Sequence, residues 1–335
     1  MLSRLAVVVA VSGLSFGAMA EAPRLGRAEP PAKAPGAIRL ATYNVLNLFD
    51  EHDDPTLKGE QDDMSSVKPE REKAALAETL QRLDADIVAL EEVESLQALT
   101  EFRDEHLQGL GYDYIVSIDA GDDRGIEQSL LSRFPIKEAT VFPSMPLGGV
   151  HPEKYGNQPN WNAGEPIECR RSPLLAVVTI PNAEGGKPYD LTLMVVHHKS
   201  GRYSGYWREK ESARFASIIQ EMQAANPQRN IAVLGDFNAE PSDLSVRTYA
   251  DVAGMADVFA ERSPGDDAVL THESDRVIDM IWVNPALGRD LVPGSFFVLG
   301  TPLRARGADW RTTEPPAGYA SDHMPVAVDL IPADR

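Results

Sequence analysis

The stretch VLGDFNAEPSD, residues 233–243, decides how this sequence is interpreted. A strand-like apolar run ends there in Asp236, Phe237 and Asn238. Gly, Asp and Asn all favour turns, so the stretch could close a strand and have no other role. Alternatively, Asp236 and Asn238, two positions apart, face one side of an extended segment and carry chemistry, while Phe237 points into the core. The rest of the chain has to decide between the two interpretations.

The first residues have the features of a secretory signal peptide. Arg4 precedes an apolar stretch, and a small-x-small site (AMA) ends at Ala20, so we predict a signal peptide over residues 1–20. The apolar stretch is too short for a stable membrane anchor. Residues 21–37 are rich in Pro and Ala and are expected to form a flexible leader. The sequence therefore predicts export, to the periplasm or out of the cell.

The remaining residues, 38–332, are predicted to form a single catalytic domain. The chain has 51 acidic and 32 basic residues and a net charge of −19, which weighs against non-specific binding to nucleic acid through a basic surface. Cys169 is the only cysteine, so no intramolecular disulfide can form. We expect a monomer and infer no protein partner.

Strand-like and helix-like segments alternate along this domain, which predicts an α/β fold with helices covering sheets. Helices are expected at 69–83, 97–110 and 208–225. The strand-like segments are 38–48, 84–93, 112–118, 129–136, 174–180, 190–198, 230–237, 277–283 and 324–330.

Polar residues occur at the ends of these apolar runs. They are Asn44, Glu92, Glu127, His197, Asp236, Asn238, Asp279, Asp322 and His323. Strand ends at a common sheet edge bring their side chains into one crevice, where α/β enzymes bind ligands. Each residue has a structural explanation as a cap, a turn or a solvated side chain, but a purely structural role for all of them is much less expected.

The order of the motifs resembles the endonuclease/exonuclease/phosphatase superfamily, which has the deoxyribonuclease I-like fold. The matching stretches are TYNVLNL, ALEEVES, GIEQSLLSRFPI, VVHHKSG, GDFNAEPSD, VIDMIWV and SDHMPVAV, in the family's order over residues 42–328. The resemblance implies an α/β four-layer sandwich of two packed mixed β-sheets flanked by helices. It also implies metal-dependent hydrolysis of phosphoester bonds.

A divalent cation suits this reaction because in-line attack by water adds charge to the oxygens of an anionic phosphodiester. The resemblance implies Asn44, Glu92 and Asp322 as metal ligands, with Glu92 preferred to Glu91. Mg²⁺ takes carboxylate and amide oxygens together with waters, so Mg²⁺ is expected, with Mn²⁺ or Ca²⁺ as alternatives.

The resemblance assigns proton transfer to Asp236 and His323, each beside a second residue that supports it. Asp236 orients or deprotonates the attacking water, and Asn238 holds a phosphate oxygen or a metal-bound water. His323 takes or gives a proton near neutral pH, and Asp279 fixes the tautomer of its ring.

His197 is implied to steady the phosphoryl oxygen and, when protonated, the developing charge. In the deoxyribonuclease branch the residue that matches Glu127 is its partner. Many relatives read NHLKS where this chain reads VHHKS. The spacing from Lys199 favours His197 over His198, and a structural His pair stays open.

Arg171 and Lys199 are the candidate substrate-binding residues. Arg171 could clamp a phosphate bidentately, or it could form a surface ion pair. Lys199 follows the His pair in a loop that could border the substrate. The acidic residues between Asp50 and Asp63 resemble an insertion of exported bacterial relatives, lack the spacing of a calcium loop, and are expected to be solvated.

These observations predict an exported, divalent-metal-dependent phosphodiesterase, and first of all a nuclease that hydrolyses nucleic acid. An alternative keeps the site but takes phospholipid head groups or small phosphoesters, which an acidic surface suits better. A non-catalytic binding protein is the third hypothesis, and the presence of Glu92, Asp236 and His323 argues against it. The sequence does not distinguish a DNA from an RNA substrate, or endonuclease from exonuclease cutting. It also does not give the number of metal ions.

Overall fold

Two mixed β-sheets of six strands each form the centre of the protein. The structure is a computed structural model that describes residues 23–52, 67–182, 185–259 and 265–334. The predicted signal peptide and most of the acidic stretch after Asp50 lie outside these residues. Among the residues described, no helix has both the length and the apolar character needed to cross a membrane.

The strands in chain order are β1 (Ile38–Leu48), β2 (Ile87–Val93), β3 (Tyr114–Ser117), β4 (Glu127–Ser132), β5 (Ile136–Thr140), β6 (Pro146–Val150), β7 (Lys154–Tyr155), β8 (Gln158–Pro159), β9 (Pro166–Glu168), β10 (Leu174–Ile180), β11 (Tyr189–His197), β12 (Asn230–Asp236), β13 (Ala256–Asp257), β14 (Asp279–Val283), β15 (Phe297–Val298) and β16 (Val326–Leu330). The helices are α1 (Glu70–Leu83), α2 (Leu96–His106), α3 (Gly205–Ala225), α4 (Leu244–Ala253) and α5 (Pro285–Gly288), with a 3-10 helix at Asp267–Val269.

Each large sheet has one parallel pair of strands near its centre. The first sheet has the order β15-β16-β1-β2-β4-β3, in which β1 and β2 are parallel. The second has the order β13-β14-β12-β11-β10-β5, in which β11 and β12 are parallel. The carboxyl ends of these parallel pairs bear the polar residues that the sequence singled out. Two short ribbons, β6-β9 and β7-β8, complete the strands described.

The two sheets pack face to face, and helices cover both outer faces. Leu40 and Ile87 of the first sheet share an apolar core with Leu193 and Leu234 of the second. Helices α1 and α2 pack on the outer face of the first sheet, and α3 and α4 on that of the second. Because both faces of each sheet are covered, the central strands are continuous apolar runs and do not alternate with polar residues.

The observed elements differ from the predicted ones in three ways. The predicted strand 129–136 is divided between β4 of the first sheet and β5 of the second, because the chain crosses from one sheet to the other between Ser132 and Ile136. Helix α4 was not predicted, and several other elements have different ends. Helix α2 ends at His106, four residues before the predicted end, and Gly109 follows with a φ of +80°, which ends helices. Leu25 is fully buried and Arg27 forms a β-bridge with Leu299, so residues 23–27 are docked on the domain and are not the flexible leader that the sequence predicted.

Candidate functional site

The site forms where the carboxyl ends of β1, β2, β11 and β12 meet between the two sheets. Asp236 ends β12 and pairs with His197 on one side and with Asp279 on the other. Asn44 of the opposite sheet donates from Nδ2 to Asp236 Oδ2 at 3.3 Å. The pairing of the strands thus collects residues that are up to 235 positions apart, from Asn44 to Asp279, around one buried carboxylate.

A β-bulge turns Glu92 into this site. Glu91 pairs with Asn44 and Gln128, whereas Val93 pairs with Leu48 and Glu127, so Glu92 is the extra residue of β2. Its φ of +65° is unusual for a residue with a side chain. Its Oε2 accepts a hydrogen bond from the backbone N–H of Asn47 at 3.2 Å.

Glu91, in contrast, is fully buried beneath the site residues. Its Oε1 accepts a hydrogen bond from Thr42 Oγ1 at 2.7 Å, and burial raises the pKa of its carboxyl well above the usual value. The charged form that a metal ligand needs is therefore disfavoured at Glu91. The structure therefore places Glu92, and not Glu91, among the site residues.

The stretch VLGDFNAEPSD, residues 233–243, is both a turn and part of the site. Asp236 Oδ1 accepts a hydrogen bond from Asn238 N at 2.7 Å, and its Oδ2 accepts one from Asn238 Nδ2 at 3.0 Å. Asn238 has a φ of +48°, so the chain leaves the extended conformation here. Phe237 is 1% exposed and packs against Tyr249, as predicted for the core side of the segment.

Asp236 is poised to accept a proton. Burial raises the pKa of its carboxyl to about 6, because the positive charge of His323 and the hydrogen bond from Asn238 only partly offset the loss of solvent and the nearby charge of Asp279. A carboxylate with this pKa is ionised at neutral pH and more basic than an exposed one.

His323 is held by Asp279 in the way the sequence predicted. Its Nδ1 lies 2.9 Å and 3.0 Å from the two carboxylate oxygens of Asp279, which fixes the proton on Nδ1. Its Nε2 faces Asp236 Oδ2 at 4.0 Å. Burial alone would lower the pKa of His323, but the charge and hydrogen bond of Asp279 outweigh it, and the pKa is raised well above the usual value. The resting ring is therefore an imidazolium that can give a proton.

The two adjacent histidines have different surroundings. His198 lies in the core, with Nδ1 2.9 Å from Glu211 Oε2 and Nε2 2.9 Å from the hydroxyl of Tyr249. His197 points into the site, where its Nε2 lies 3.6 Å from Asp236 Oδ2. The structure therefore brings His197, and not its neighbour, to the other site residues.

His197 has a different partner from the one that the resemblance implied. Its Nε2 accepts a hydrogen bond from Arg171 Nη1 at 2.7 Å, and its Nδ1 is buried without a partner among the described residues. The Glu127 carboxylate instead accepts the backbone N–H of Ala120 at 2.5 Å. Burial and then the charge of Arg171 lower the pKa of His197 well below its usual value, so a protonated His197 is disfavoured here.

The candidate substrate-binding residues lie at the same end of the sheets. Arg171 is buried and donates from Nε to Asp122 at 2.6 Å as well as to His197, so neither a surface ion pair nor a free phosphate clamp describes it. The ammonium of Lys199 lies near the Ser200 carbonyl and 6.0 Å from the ring centroid of Trp207, at the rim of the site.

Three further residues at the site were not identified from the sequence. Lys68 donates to the carbonyls of Val45 and Leu46 at 3.0 Å each, and burial lowers its pKa to about 8 although nearby carboxylates oppose this shift. Arg124 lies 3.8 Å from Glu92, and His272 lies 3.4 Å from Asp322. No local pattern marks them, because the fold alone brings their loops to the strand ends.

The predicted metal ligands carry oxygen atoms of the kind that a hard cation binds. Asp322 Oδ1 is buried without a hydrogen-bond partner, and Glu92 Oε1 accepts no hydrogen bond from any residue that the structure describes. The Asn44 carbonyl accepts one bond, from Leu46 N at 3.0 Å, and keeps a second lone pair. Such oxygens suit Mg²⁺ or Mn²⁺. Ligand atoms of His272, Asp322 and His323 also lie within 4.8 Å of one another.

Comparisons with known proteins agree with this architecture. A model of the Endonuclease/Exonuclease/phosphatase family matches residues 41–323. The human Nocturnin catalytic domain with bound sulfate is similar at 16% identity and a TM-score of 0.56, over 89% of this chain and 95% of that chain. The Bacteroides thetaiotaomicron mannosyl-6-phosphatase is similar at 18% identity and a TM-score of 0.52, over 87% and 98%.

A truncated Caenorhabditis elegans TDP2 is similar at 15% identity and a TM-score of 0.51, over 88% of this chain and 97% of that chain. No curated protein sequence matches. At these identities the solved structures show the fold alone, and they confirm the predicted arrangement of two mixed sheets flanked by helices. The match to the family covers residues 41–323, and so it includes the whole strand-end site from Asn44 to His323.

Proposed function

The chain belongs to the Endonuclease/Exonuclease/phosphatase family, and from this membership and the site geometry we propose that it is a divalent-metal-dependent phosphodiesterase that acts on nucleic acid. Membership confirms the predicted enzyme class, the hydrolysis of phosphoester bonds. The metal dependence and the nucleic-acid substrate are the finer parts of the proposal.

The observation that carries the proposal is the opposed protonation of Asp236 and His323. The two side chains face each other at 4.0 Å, and their surroundings leave the first ionised and the second protonated near neutral pH. In-line hydrolysis requires both a base and an acid in the site, because one proton must leave the attacking water while another reaches the departing oxygen.

The reaction follows from these positions. Water attacks phosphorus and forms a new O–P bond while Asp236 takes its proton. The bond from phosphorus to the leaving oxygen breaks, and His323 Nε2 gives that oxygen a proton. Asp279 holds the imidazolium until this transfer. Asn238 steadies the charge that develops on the non-bridging oxygens. A divalent cation bound by Asn44, Glu92 and Asp322 would offset the same charge.

A second candidate, a phosphoesterase for small substrates or phospholipid head groups, is favoured by two observations. The net charge of −19 opposes the approach of a polyanion. Trp161 is 91% exposed, which suits contact with a lipid interface. The likeness to a mannosyl-6-phosphatase is compatible with this alternative but extends to the fold alone.

The test uses residues 21–335 with His323→Ala and Cys169→Ser as paired variants. Supercoiled plasmid, linear DNA, RNA and bis-p-nitrophenyl phosphate are incubated with Mg²⁺, with and without chelator. Plasmid nicking that stops with chelator and falls at least about 10²-fold in His323→Ala, the usual size of a general-acid contribution, supports the nuclease. Cys169 is buried outside the site, so Cys169→Ser should keep the activity.

Turnover of bis-p-nitrophenyl phosphate alone would move the substrate to small phosphoesters. Turnover that chelator does not affect would refute the metal dependence. Turnover that His323→Ala retains would refute the assigned acid. An inactive protein that still binds the substrates would favour the binding-protein hypothesis.

The same proposal includes export and a single catalytic domain over residues 38–332. Export rests on the pattern of residues 1–20, and the domain on the two sheets sharing one core. Amino-terminal sequencing of the protein from cell fractions should give Glu21 as the first residue. Limited proteolysis should leave one stable fragment, and size-exclusion chromatography should give the mass of a monomer.

A further inference from the structure

The loop that joins β3 to β4, residues 118–126, is held in place by hydrogen bonds within it and to neighbouring segments. Ala120 N donates to Glu127 Oε2 at 2.5 Å. The Asp122 carboxylate accepts from Arg124 N at 2.7 Å through one oxygen and from Arg171 Nε at 2.6 Å through the other. Because its backbone is held from both sides, the loop presents its side chains in a defined position.

The side chain that this loop presents to the site is Arg124. Its Nη2 donates to Asn47 Oδ1 at 2.6 Å and lies 3.8 Å from Glu92 Oε2. Nη1 makes no hydrogen bond with any described residue, and Nε is buried without a partner. The side chain is 28% exposed, so the free end of the guanidinium is accessible to a ligand.

Arg124 also lies close to His197. Its charge is one of the causes of the lowered pKa of that ring, after burial and the charge of Arg171. The guanidinium is therefore next to both Glu92, a predicted metal ligand, and His197, a predicted phosphate contact. A metal ligand and a phosphate contact must face the same phosphoryl group, so Arg124 borders the space where that group would bind.

We propose that Arg124 is a substrate-binding residue whose guanidinium contacts a non-bridging oxygen of the substrate phosphate. This inference rests on the proposed function and assigns a further residue to it. Guanidinium groups recognise phosphate oxygens through charge-assisted hydrogen bonds with a fixed planar geometry. Arg171, which the sequence suggested for this role, already directs Nε and Nη1 at Asp122 and His197.

A merely structural role for Arg124 makes a different prediction. In that case the side chain only bridges Asn47 and Glu92, and its loss would disturb the metal ligand. Metal affinity would then fall together with activity, while phosphate affinity at saturating metal would stay the same. The two roles are therefore separated by measuring metal binding and phosphate binding independently of turnover.

The experiment compares Arg124→Ala and Arg124→Lys with Arg170→Ala. Arg170 is the matched control, because it pairs with Asp123 of the same loop but is exposed and packs over Trp207, whereas Arg124 pairs with Glu92. Binding of inorganic phosphate is measured by calorimetry at saturating Mg²⁺, and Mn²⁺ binding by electron paramagnetic resonance. Turnover is measured with bis-p-nitrophenyl phosphate and with p-nitrophenyl phosphate, which distinguishes a diester from a monoester source of the phosphate.

We expect Arg124→Ala to weaken phosphate binding and to lower kcat/KM about 10- to 100-fold, the range for one charge-assisted hydrogen bond. Arg124→Lys should retain part of the phosphate affinity and part of kcat/KM. Arg170→Ala should lose neither. Mn²⁺ affinity should not fall, because Glu92 keeps its hydrogen bond from Asn47 N and loses a positive charge 3.8 Å away that competes with the cation. The ester whose turnover falls more in Arg124→Ala identifies the source of the phosphate. Either outcome supports the contact between Arg124 and the phosphate.

Unchanged phosphate affinity in Arg124→Ala, or a loss of Mn²⁺ affinity that matches the loss of activity, would overturn the inference. Phosphate binding reports on Arg124 even if the wild-type protein hydrolyses neither ester. Failure of the proposed function is therefore visible separately, as wild-type protein that binds phosphate through Arg124 without turnover. Thermal unfolding of each variant identifies losses that are caused by misfolding, and Arg124→Lys then provides the deciding comparison.

Discussion

Gly235 is the residue of the GDFN stretch that the fold can least replace. It has a φ of +139°, and a Cβ at this position would lie 2.0 Å from the carbonyl oxygen of Val196. The two residues are paired across β11 and β12, directly before the pair His197 and Asp236. An ordinary contact begins at 3.4 Å, so Gly235→Ala must move these strands apart by the difference, 3.4 − 2.0 = 1.4 Å.

The free energy of unfolding should fall for two reasons. The backbone strain of a non-glycine residue in this conformation costs about 1–3 kcal/mol. Forcing a methyl group into a packed sheet costs about 1–3 kcal/mol more. We therefore expect a loss of about 2–6 kcal/mol. Because a displacement of about 1 Å in catalytic geometry costs about 10²-fold, kcat should fall by at least that factor.

Urea unfolding and kcat, measured at a temperature where the variant is folded, test this expectation. Gly254→Ala is the control, because Gly254 has a φ of +62° after α4 but a Cβ there would meet nothing within 4 Å. It should lose only about 1 kcal/mol from strain and keep its activity. Equal losses in the two variants, or full activity in Gly235→Ala, would refute the reasoning from the close approach.

The other predictions concern the protonation and placement of the site residues. Asp279→Asn should lower kcat/KM on the order of 10²- to 10⁴-fold, because a neutral amide no longer stabilises the imidazolium of His323, and the basic limb of the pH profile should move to lower pH; an unmoved limb would contradict this pairing. His198→Asn should cost about 3 kcal/mol of stability, since its buried partners become unpaired, with kcat within about threefold of wild type. His197→Asn should instead lower kcat strongly and stability only a little. Urea unfolding and kcat, measured for both variants, separate the two effects. Burial raises the pKa of Glu127 from 4.5 to about 8, so its contribution to stability is present at low pH and is lost as pH rises through about 8. The stability of wild type relative to Glu127→Gln should therefore fall between about pH 5 and pH 8, at no more than about 1.4 kcal/mol per pH unit, and a constant difference would disprove the raised pKa.

The strands and the polar residues that end them could be predicted because both are local properties of the sequence. Apolar runs identify strands that are buried on both faces, and a polar residue directly after such a run must lie at a sheet edge. Asp236 and Asp279 are of this kind. The pairing of Asp279 with His323 could be predicted only through the family resemblance, because the two lie on different elements.

Contacts made by loops could not be predicted in the same way. The conformation of residues 118–126 depends on Asp122 meeting Arg171, a residue on a segment that lies 49 positions later in the chain. In this arrangement Glu127 accepts a hydrogen bond from Ala120 N and His197 accepts one from Arg171, whereas the resemblance paired Glu127 with His197. No periodicity or turn signal specifies a contact of this range, so the departure became visible only in the folded chain.

The local charge at the site also differs from what the composition suggests. The chain as a whole is strongly acidic, and four carboxylates converge on the site, those of Glu92, Asp236, Asp279 and Asp322. Buried anions are costly unless cations face them, and Arg124, Arg171 and Lys68 lie among these side chains. An anionic phosphate can approach because these fixed cations, together with the imidazolium of His323, offset the carboxylates at short range, and the proposed divalent metal would add to this effect. Salt screens the distant acidic surface much more than it screens these buried charges. Raising the ionic strength should therefore increase kcat/KM for a polyanionic substrate and change it little for bis-p-nitrophenyl phosphate, and a fall for both would show that long-range attraction, and not the buried cations, guides the substrate to the site.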